Sequence, residues 1–473
     1  MAVQEAAVYA KIARRILPLL FAGYFLAILD RVNVGFAKLQ MASELRLSDA
    51  VYGFGAGVFF FGYFLFELPS NLILARVGAR RWIARIMLTW GTVSAAFVFL
   101  GDLRWGPLAR TFGASDAEFS FYLLRFVLGL AEAGFFPGVI LYLTYWFPSA
   151  RRANVFAWFV IAIPMASAIG SPLSGVILQL AGSGGPLRGW QWLFLIEALP
   201  AILLGLVVLA RLPDGPLEAK WLSGGERDLV RGRLDEDEAR KPALGQRSDL
   251  ASAMLDWRVW ALALADFLRA IVNNALNFWM PTLVQDIGIP KKAYLEVGAV
   301  SAIPWTVAAV LMVAIARSSD RTGERRWHAT LSILLSAAGL LLLGFAGHAP
   351  VLSVLALTMV ATGAMAWLAI FWTLPSAFLS GVAAAGGIAW INALSQLGGF
   401  VGPDLLGQVR SGNAGDAGPA FLMMALAALL AAGLTVLLTR QPQETAAGEA
   451  ASVRNRAVES HVDDPKGDGM NEG

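Results

Sequence analysis

Four ionisable residues interrupt stretches that are otherwise apolar: Asp30 and Arg31 in one, Arg125 and Glu132 in another. Near a bilayer centre each such group costs about 2.5 to 3.5 kcal/mol on insertion scales, so it usually faces a cavity or a partner. Arginine suits a carboxylate ligand, because its planar fork donates two hydrogen bonds and keeps its charge at any working pH. Arg31 and Arg125 are therefore the expected anion ligands. A carboxyl in a dry site holds its proton more tightly through desolvation and less tightly beside an arginine. An anion arriving at Arg31 and Arg125 removes that counter-charge and favours proton uptake, which makes Asp30 and Glu132 the expected proton sites. The competing reading is a set of static ion pairs that fix helix packing.

Spacing refines these roles. Asp30 and Arg31 fall about 14 residues into one helix and Arg125 about six into an antiparallel one, so at 1.5 Å per residue the three share a depth. Adjacent residues diverge by about 100° around a helix, so Asp30 and Arg31 cannot point at one spot. Arg125 and Glu132, nearly two turns apart, share a face that Gly129 opens. Further along, Asp266, Arg269, Asn273 and Asn277 recur at steps of three, four and four, the period of one helical face. That stripe is expected to line the cavity. Either Arg269 adds a third positive group suited to a dicarboxylate, or Asp266 neutralises it and the asparagines bond neighbouring helices. Glu67, before Pro69, and Glu197, before Pro200, read as structural.

The elements that hold these residues follow from composition. Of 473 residues, 57% are hydrophobic and only 15% charged, far from the roughly 25% charged of soluble domains, which excludes a soluble enzyme. Mean hydropathy is +0.61. Apolar runs fall near 16–38, 51–75, 83–101, 119–146, 154–180 and 191–210, then 257–284, 296–316, 329–347, 350–376, 383–408 and 417–439. Each is of the length a spanning helix needs, and their Gly and Pro content fits close helix packing rather than a β-barrel. The fold class is thus an all-α polytopic membrane protein with 12 transmembrane helices in two six-helix bundles. Residues 16–211 and 257–439 form the bundles, joined by a charged linker, 212–256, that cannot lie in hydrocarbon. A segment 1–15 precedes them, and a polar tail, 440–473, is expected to be disordered.

Basic residues set the orientation. Lys11, Arg14 and Arg15, then Arg76, Arg80, Arg81 and Arg85, then Arg151 and Arg152, then Arg317, Arg321, Arg325 and Arg326 share one face of the count. That face is expected to be cytoplasmic, with both termini and the linker. The sequence has no Cys and three His, of which His328, His348 and His461 fall in expected loops or the tail, so no thiolate metal site or membrane imidazole relay is expected. No removable signal is read at the N-terminus. A formal charge of +3 implies no nucleic-acid face.

The segment Ala75-Arg76-Val77-Gly78-Ala79-Arg80-Arg81-Trp82 matches Asp320-Arg321-Thr322-Gly323-Glu324-Arg325-Arg326-Trp327, at the offset that also separates Gly53 from Gly298. Both copies follow the second helix of their half, as expected of duplicated, pseudo-symmetric bundles. The second copy resembles the D-R-x-G-x-R-R loop signature of the major facilitator superfamily. The first departs from it at Asn71 and Ala75, where that pattern prefers Gly and Asp. More narrowly, Glu67-Leu68-Pro69-Ser70-Asn71-Leu72, Asp30-Arg31-Val32-Asn33, Arg125 with Gly129 to Gly138, Phe371-Trp372 with Pro375, and Asn392 with Gly398-Gly399-Phe400 and Gly402-Pro403 resemble the anion:cation symporter family in its phthalate and tartrate permease branch. The resemblance covers nearly the whole chain. It implies the major facilitator fold and transport of organic anions with protons or other cations. It also implies cavity roles for Tyr63, Trp372 and Asn392, proton roles for Asp30 and Glu132, and a gating role for the two arginine loops.

Two other signals are discounted. Gly53-Phe54-Gly55-Ala56-Gly57 lies in an apolar helix with no preceding strand, so it marks close packing rather than a dinucleotide loop. Ala166, Gly170, Ser171, Pro172, Ser174 and Gly175 resemble a fifth-helix antiport signature, and a bend with tight packing explains them equally. The expected function is proton-coupled import of an organic carboxylate such as tartrate, a sugar acid or a phthalate-like acid. The rivals are an anion exchanger and a non-transporting receptor; an enzyme lacks any catalytic constellation. No cofactor or metal is expected. The expected partners are the small anion, protons and lipid, for a monomer in the cell inner membrane.

Overall fold

The computed structural model describes residues 2–181, 185–240, 255–345, 349–375 and 381–439, and among them every regular element is helical. The first half comprises α1 (Ala2–Leu45), α2 (Asp49–Val77), α3 (Ala79–Ala96), short α4 (Pro107–Thr111), α5 (Asp116–Glu132), α6 (Phe135–Thr144), α7 (Ser149–Ala181) and α8 (Gly189–Arg211). After α9 (Gly224–Arg240) in the linker come α10 (Trp257–Asp286), α11 (Tyr294–Thr322), α12 (Arg326–Phe345), α13 (Pro350–Phe371), α14 (Gly381–Gly412) and α15 (Gly418–Leu438). Eleven spans among the described residues are long and apolar enough to cross a membrane. The twelfth crossing is α14, whose 32 residues are ample at 1.5 Å each and whose Asn392, Ser395 and Gln396 turn to a cavity rather than to lipid.

Packing is inverted relative to a soluble bundle. On α8, Ala198, Ala201 and Gly205 are buried while Leu199, Leu203 and Leu206 are each about half exposed. Small residues let backbones approach, and leucines meet the lipid. The two halves meet at matched glycines. A Cβ on Gly53 of α2 would stand 2.5 Å from the Pro403 carbonyl and 2.9 Å from Gly407 Cα on α14; one on Gly298 of α11 would stand 2.6 Å from the Ser171 carbonyl and 3.2 Å from Gly175 Cα on α7. Gly53 and Gly298 are the repeat-related pair, so the duplication reaches the interface itself. Both seams lie at the end of the bundle away from the N-terminus. There Lys38 of α1 pairs with Asp49 (2.8 Å), and Arg410 of α14 bridges Asp49 (2.9 Å) and Asp286 of α10 (2.7 Å).

Three local features depart from the helix boundaries expected of the sequence. Residues 2–15 are helical and run on into the first crossing as α1, whose Val8, Ile12, Ile16 and Leu20 are buried at four-residue steps. The fourth crossing is broken into α5 and α6 at Gly134, where φ is +82° and a Cβ would strike the Ser70 hydroxyl at 2.2 Å. Finally, the first part of the linker packs onto the first half. Trp221 stacks on Trp146 at 5.8 Å, Val230 is buried, and Glu226 and Arg233 pair with Lys11 and Glu5 of α1. Residues 241–254, the tail 440–473, His348 and His461 lie outside the described residues, and His328 sits in the first turn of α12.

Candidate functional site

Between the halves lies a cavity of about 1000 Å³, its mouth included, walled by Arg31 of α1, Tyr63 of α2, Asp266, Arg269, Asn273 and Asn277 of α10, Trp372 at the end of α13 and Asn392 of α14. The stripe on α10 is on one face, as its spacing predicts. Seven of the eight expected ligands therefore converge on one space from both halves.

Arg31 reaches the cavity from mid-α1, and its Nη2 donates to Glu132 Oε1 in an ion pair between α1 and α5. The Glu132 side chain is 1% exposed and that of Arg31 20%. Glu132 is the last residue of α5, so the break at Gly134 ends the helix just beyond the pair. Aromatic rings of Phe59 and Tyr63 flank the guanidinium at 5.2 and 5.3 Å, a cation–π setting that holds it without neutralising it. Among the described residues Arg31 Nε and Glu132 Oε2 have no hydrogen-bond partner.

The opposite wall is differently built. Arg269 Nε donates to Asp266 Oδ1 at 2.6 Å, one turn away on the same helix, with the side chains 7% and 2% exposed. Of the two readings of this stripe, neutralisation is therefore realised, although both residues still line the cavity. Asn273 and Asn277 do not bond neighbouring helices through their amide oxygens, which have no partner among the described residues. Asn392 donates to Glu67 Oε1 at 2.7 Å, tying α14 to α2 across the halves, so Glu67 does serve a structural contact.

One expectation is corrected. Arg125 does not line the cavity; 1% exposed, it donates through Nε to the Gly55 carbonyl (3.3 Å) and through Nη2 to that of Ala56 (3.0 Å). The physical reason is close packing: Gly129 brings α5 so near α2 that a Cβ there would stand 2.0 Å from the Phe59 carbonyl. The Phe59 ring then stands 4.8 Å from the Arg125 guanidinium, which it shares as neighbour with Arg31. Asp30, expected as a proton site rather than a ligand, is 2% exposed and accepts from Ser94 of α3 and from Asn33. Lys38 was missed: it ends an apolar run and reads as a helix terminus, yet it lies 6% exposed with its Nζ 3.8 Å from the Trp279 ring.

With this geometry on hand the chain can be placed. Residues 20–403 match the Major Facilitator Superfamily. The chain belongs to that superfamily. It is 45% identical over 455 residues, 96% of this chain and 99% of the relative, to a protein of Agrobacterium vitis named "Putative tartrate transporter". It is 37% identical over 441 residues, 93% and 97% respectively, to the inner membrane transport protein RhmT of Escherichia coli. Its fold matches the inward open conformation of the xylose transporter XylE from E. coli with a TM-score of 0.69 at 15% identity, covering 90% of this chain and 96% of that one. This facilitator is thus a multi-pass membrane transporter of a small molecule, not an enzyme.

The two arginine loops of the facilitator fold close in different ways. Gly78 and Gly323 both adopt positive φ, +96° and +69°, which only glycine does at no cost. In the second loop Asp320 pairs with Arg325 (2.5 Å), Arg326 lies 5.1 Å from the Trp327 ring, and Glu324 accepts from the Trp327 and His328 amides at 2.8 and 3.2 Å. Burial works against the Glu324 carboxylate, but the Trp327 and His328 donors outweigh it and hold its pKa below the ordinary glutamate value. The first loop has alanine at both acidic positions. There Asp214, from beyond α8, accepts from the Arg80 amide at 2.7 Å and sits 3.7 Å from its Nε. Arg76, Arg81 and Arg321 are exposed at this end.

Proposed function

We propose that this transporter imports an organic carboxylate together with protons, with tartrate the first candidate, by rocking its halves about the cavity. One observation carries the reading: the Arg31–Glu132 ion pair spans two helices at the cavity wall. A guanidinium that already faces a carboxylate offers its fork to another, and a substrate carboxylate can take the place of Glu132. Glu132 then loses its counter-charge in a dry setting, where carboxyls hold protons. Anion binding and proton uptake follow from one exchange of partners. Asp30 is the second proton site. Tyr63 and Trp372 supply aromatic walls, while Arg269, Asn273, Asn277 and Asn392 supply polar contacts from the second half. Arg125, sealed behind Phe59, supports the site through its positive charge rather than by touching the anion.

The relative named for tartrate supports the substrate class, and the bacterial inner-membrane relative supports that location. The excess of loop arginines on one face supports a cytoplasmic side for the termini, the tail and the linker 212–256 between bundles 16–211 and 257–439, and on that orientation the glycine-sealed end faces outward. The arginine loops act as cytoplasmic gate elements of a monomer. Purified protein in liposomes, given labelled tartrate, tests the reading. Accumulation under an inward proton gradient that is lost in Arg31→Ala supports it. Tartrate exchange that ignores the gradient makes the protein an exchanger, and binding without any movement makes it a receptor.

A further inference from the structure

Glu197 of α8 is a buried acid to which transport by Arg31 and Glu132 assigns no task. It is 3% exposed; Oε1 accepts from the Ser174 hydroxyl of α7 at 2.8 Å, and Oε2 has no partner among the described residues. A second buried carboxyl, Asp30 of α1, lies near enough to act on it by charge. Asp30 Oδ1 takes the Ser94 hydroxyl and the Asn33 amide (3.3 Å), while Oδ2 is equally without a partner. Asn33, fully buried, also approaches Glu197.

Among the described residues no cation forms an ion pair with either carboxyl. Arg31 is turned to Glu132, and Arg125, which together with Glu132 acts on Asp30 at longer range, donates to backbone carbonyls. Enclosing two carboxyls among α1, α3, α7 and α8 without an ion-pair partner disfavours charge on both at once. The hydroxyl that serves Glu197 belongs to the residue next to Gly175, where α7 meets Gly298 of α11 across the seam.

We propose that Glu197 is a proton-binding residue of the transport cycle, paired with Asp30 through Asn33 and set apart from the Arg31–Glu132 exchange. The inference rests on the proton-coupled reading above. Each cycle then moves a proton on and off this pair.

The test compares wild type with Glu197→Gln, which keeps the shape and one donor contact but cannot ionise. In liposomes with labelled tartrate, the accumulation ratio under a one-unit proton gradient should fall about tenfold, the contribution of one coupled proton. Tartrate counterflow without a gradient should persist. Accumulation equal to wild type overturns the proposal, and so does a parallel loss of counterflow and of thermal stability, which marks a packing role. Infrared spectroscopy gives a second readout: the carbonyl stretch of a buried protonated carboxylic acid, present in wild type and missing from Glu197→Gln, supports the proposal, and an unchanged spectrum overturns it. A wild type without gradient-driven tartrate accumulation sinks the proton-coupled reading itself, and the infrared comparison still decides whether Glu197 holds a proton.

Discussion

The two halves of this facilitator share a loop and a pair of glycine seams, yet their charges on the cavity wall are organised in opposite ways. In the first half the pair Arg31–Glu132 joins α1 to α5, so a ligand or a helix movement can separate it. The second half's pair, Asp266–Arg269, sits one turn apart on α10 and stays together whatever the neighbouring helices do. An ion pair between elements can respond to the transport cycle, whereas one within an element can only be there. The same contrast holds at the loops: Glu324 caps its own loop, but the first loop borrows Asp214 from beyond α8.

Breaking the responsive pair should have the largest effect. On the proposed function, Arg31→Ala is expected to cut tartrate uptake by about a hundredfold or more, the scale of losing one partner of a buried charge pair, and Arg31→Ala with Glu132→Gln should not restore it, as initial rates in liposomes will show. The static pair should behave otherwise. Arg269→Ala leaves Asp266 buried and uncompensated, at a cost of about 3 to 5 kcal/mol, and Asp266→Leu with Arg269→Met should recover most of it; denaturation in detergent measures both. If the single and double variants are equally unstable, the static reading of the second half fails.

The seams sharpen the symmetry. Gly53→Val and Gly298→Val both push a side chain into a facing carbonyl and should destabilise the sealed end to a similar degree, about 1 to 3 kcal/mol each. The sequence has no cysteine, so a single Ala50→Cys, partly buried at the start of α2, reports on that end without background, and either valine should speed its labelling. Unequal effects would show that one seam dominates. Smallest are the loop caps: Asp214→Ala and Glu324→Ala should each cost about 1 kcal/mol or less. Because the Glu324 pKa is lower in the folded protein than its ordinary 4.5, its contribution is present above that value and disappears as pH falls through the folded one. Thermal melts of wild type and Glu324→Ala should therefore converge in acid.

Much of the fold is legible in the residue order because lipid imposes a length and a polarity on every crossing. The apolar runs mark the crossings, the charged gap marks the boundary between halves, and the repeated Gly-Arg-Arg-Trp loop marks their symmetry. The one-face stripe from Asp266 to Asn277 is legible for the same reason, since helical period is a local property. What the order of residues leaves open is how each helix is rotated against the others. Arg31 and Arg125 look alike as buried arginines, and only the approach of α5 to α2 at Gly129 turns one to the cavity and the other to backbone carbonyls. Likewise Asp214, distant in sequence from Arg80, and Glu197, distant from Asp30, meet their partners through contacts between helices. Local periodicity determined which residues share a face; tertiary packing alone decided which faces look at each other, because distance between side chains on different helices is set by the small residues where their backbones touch.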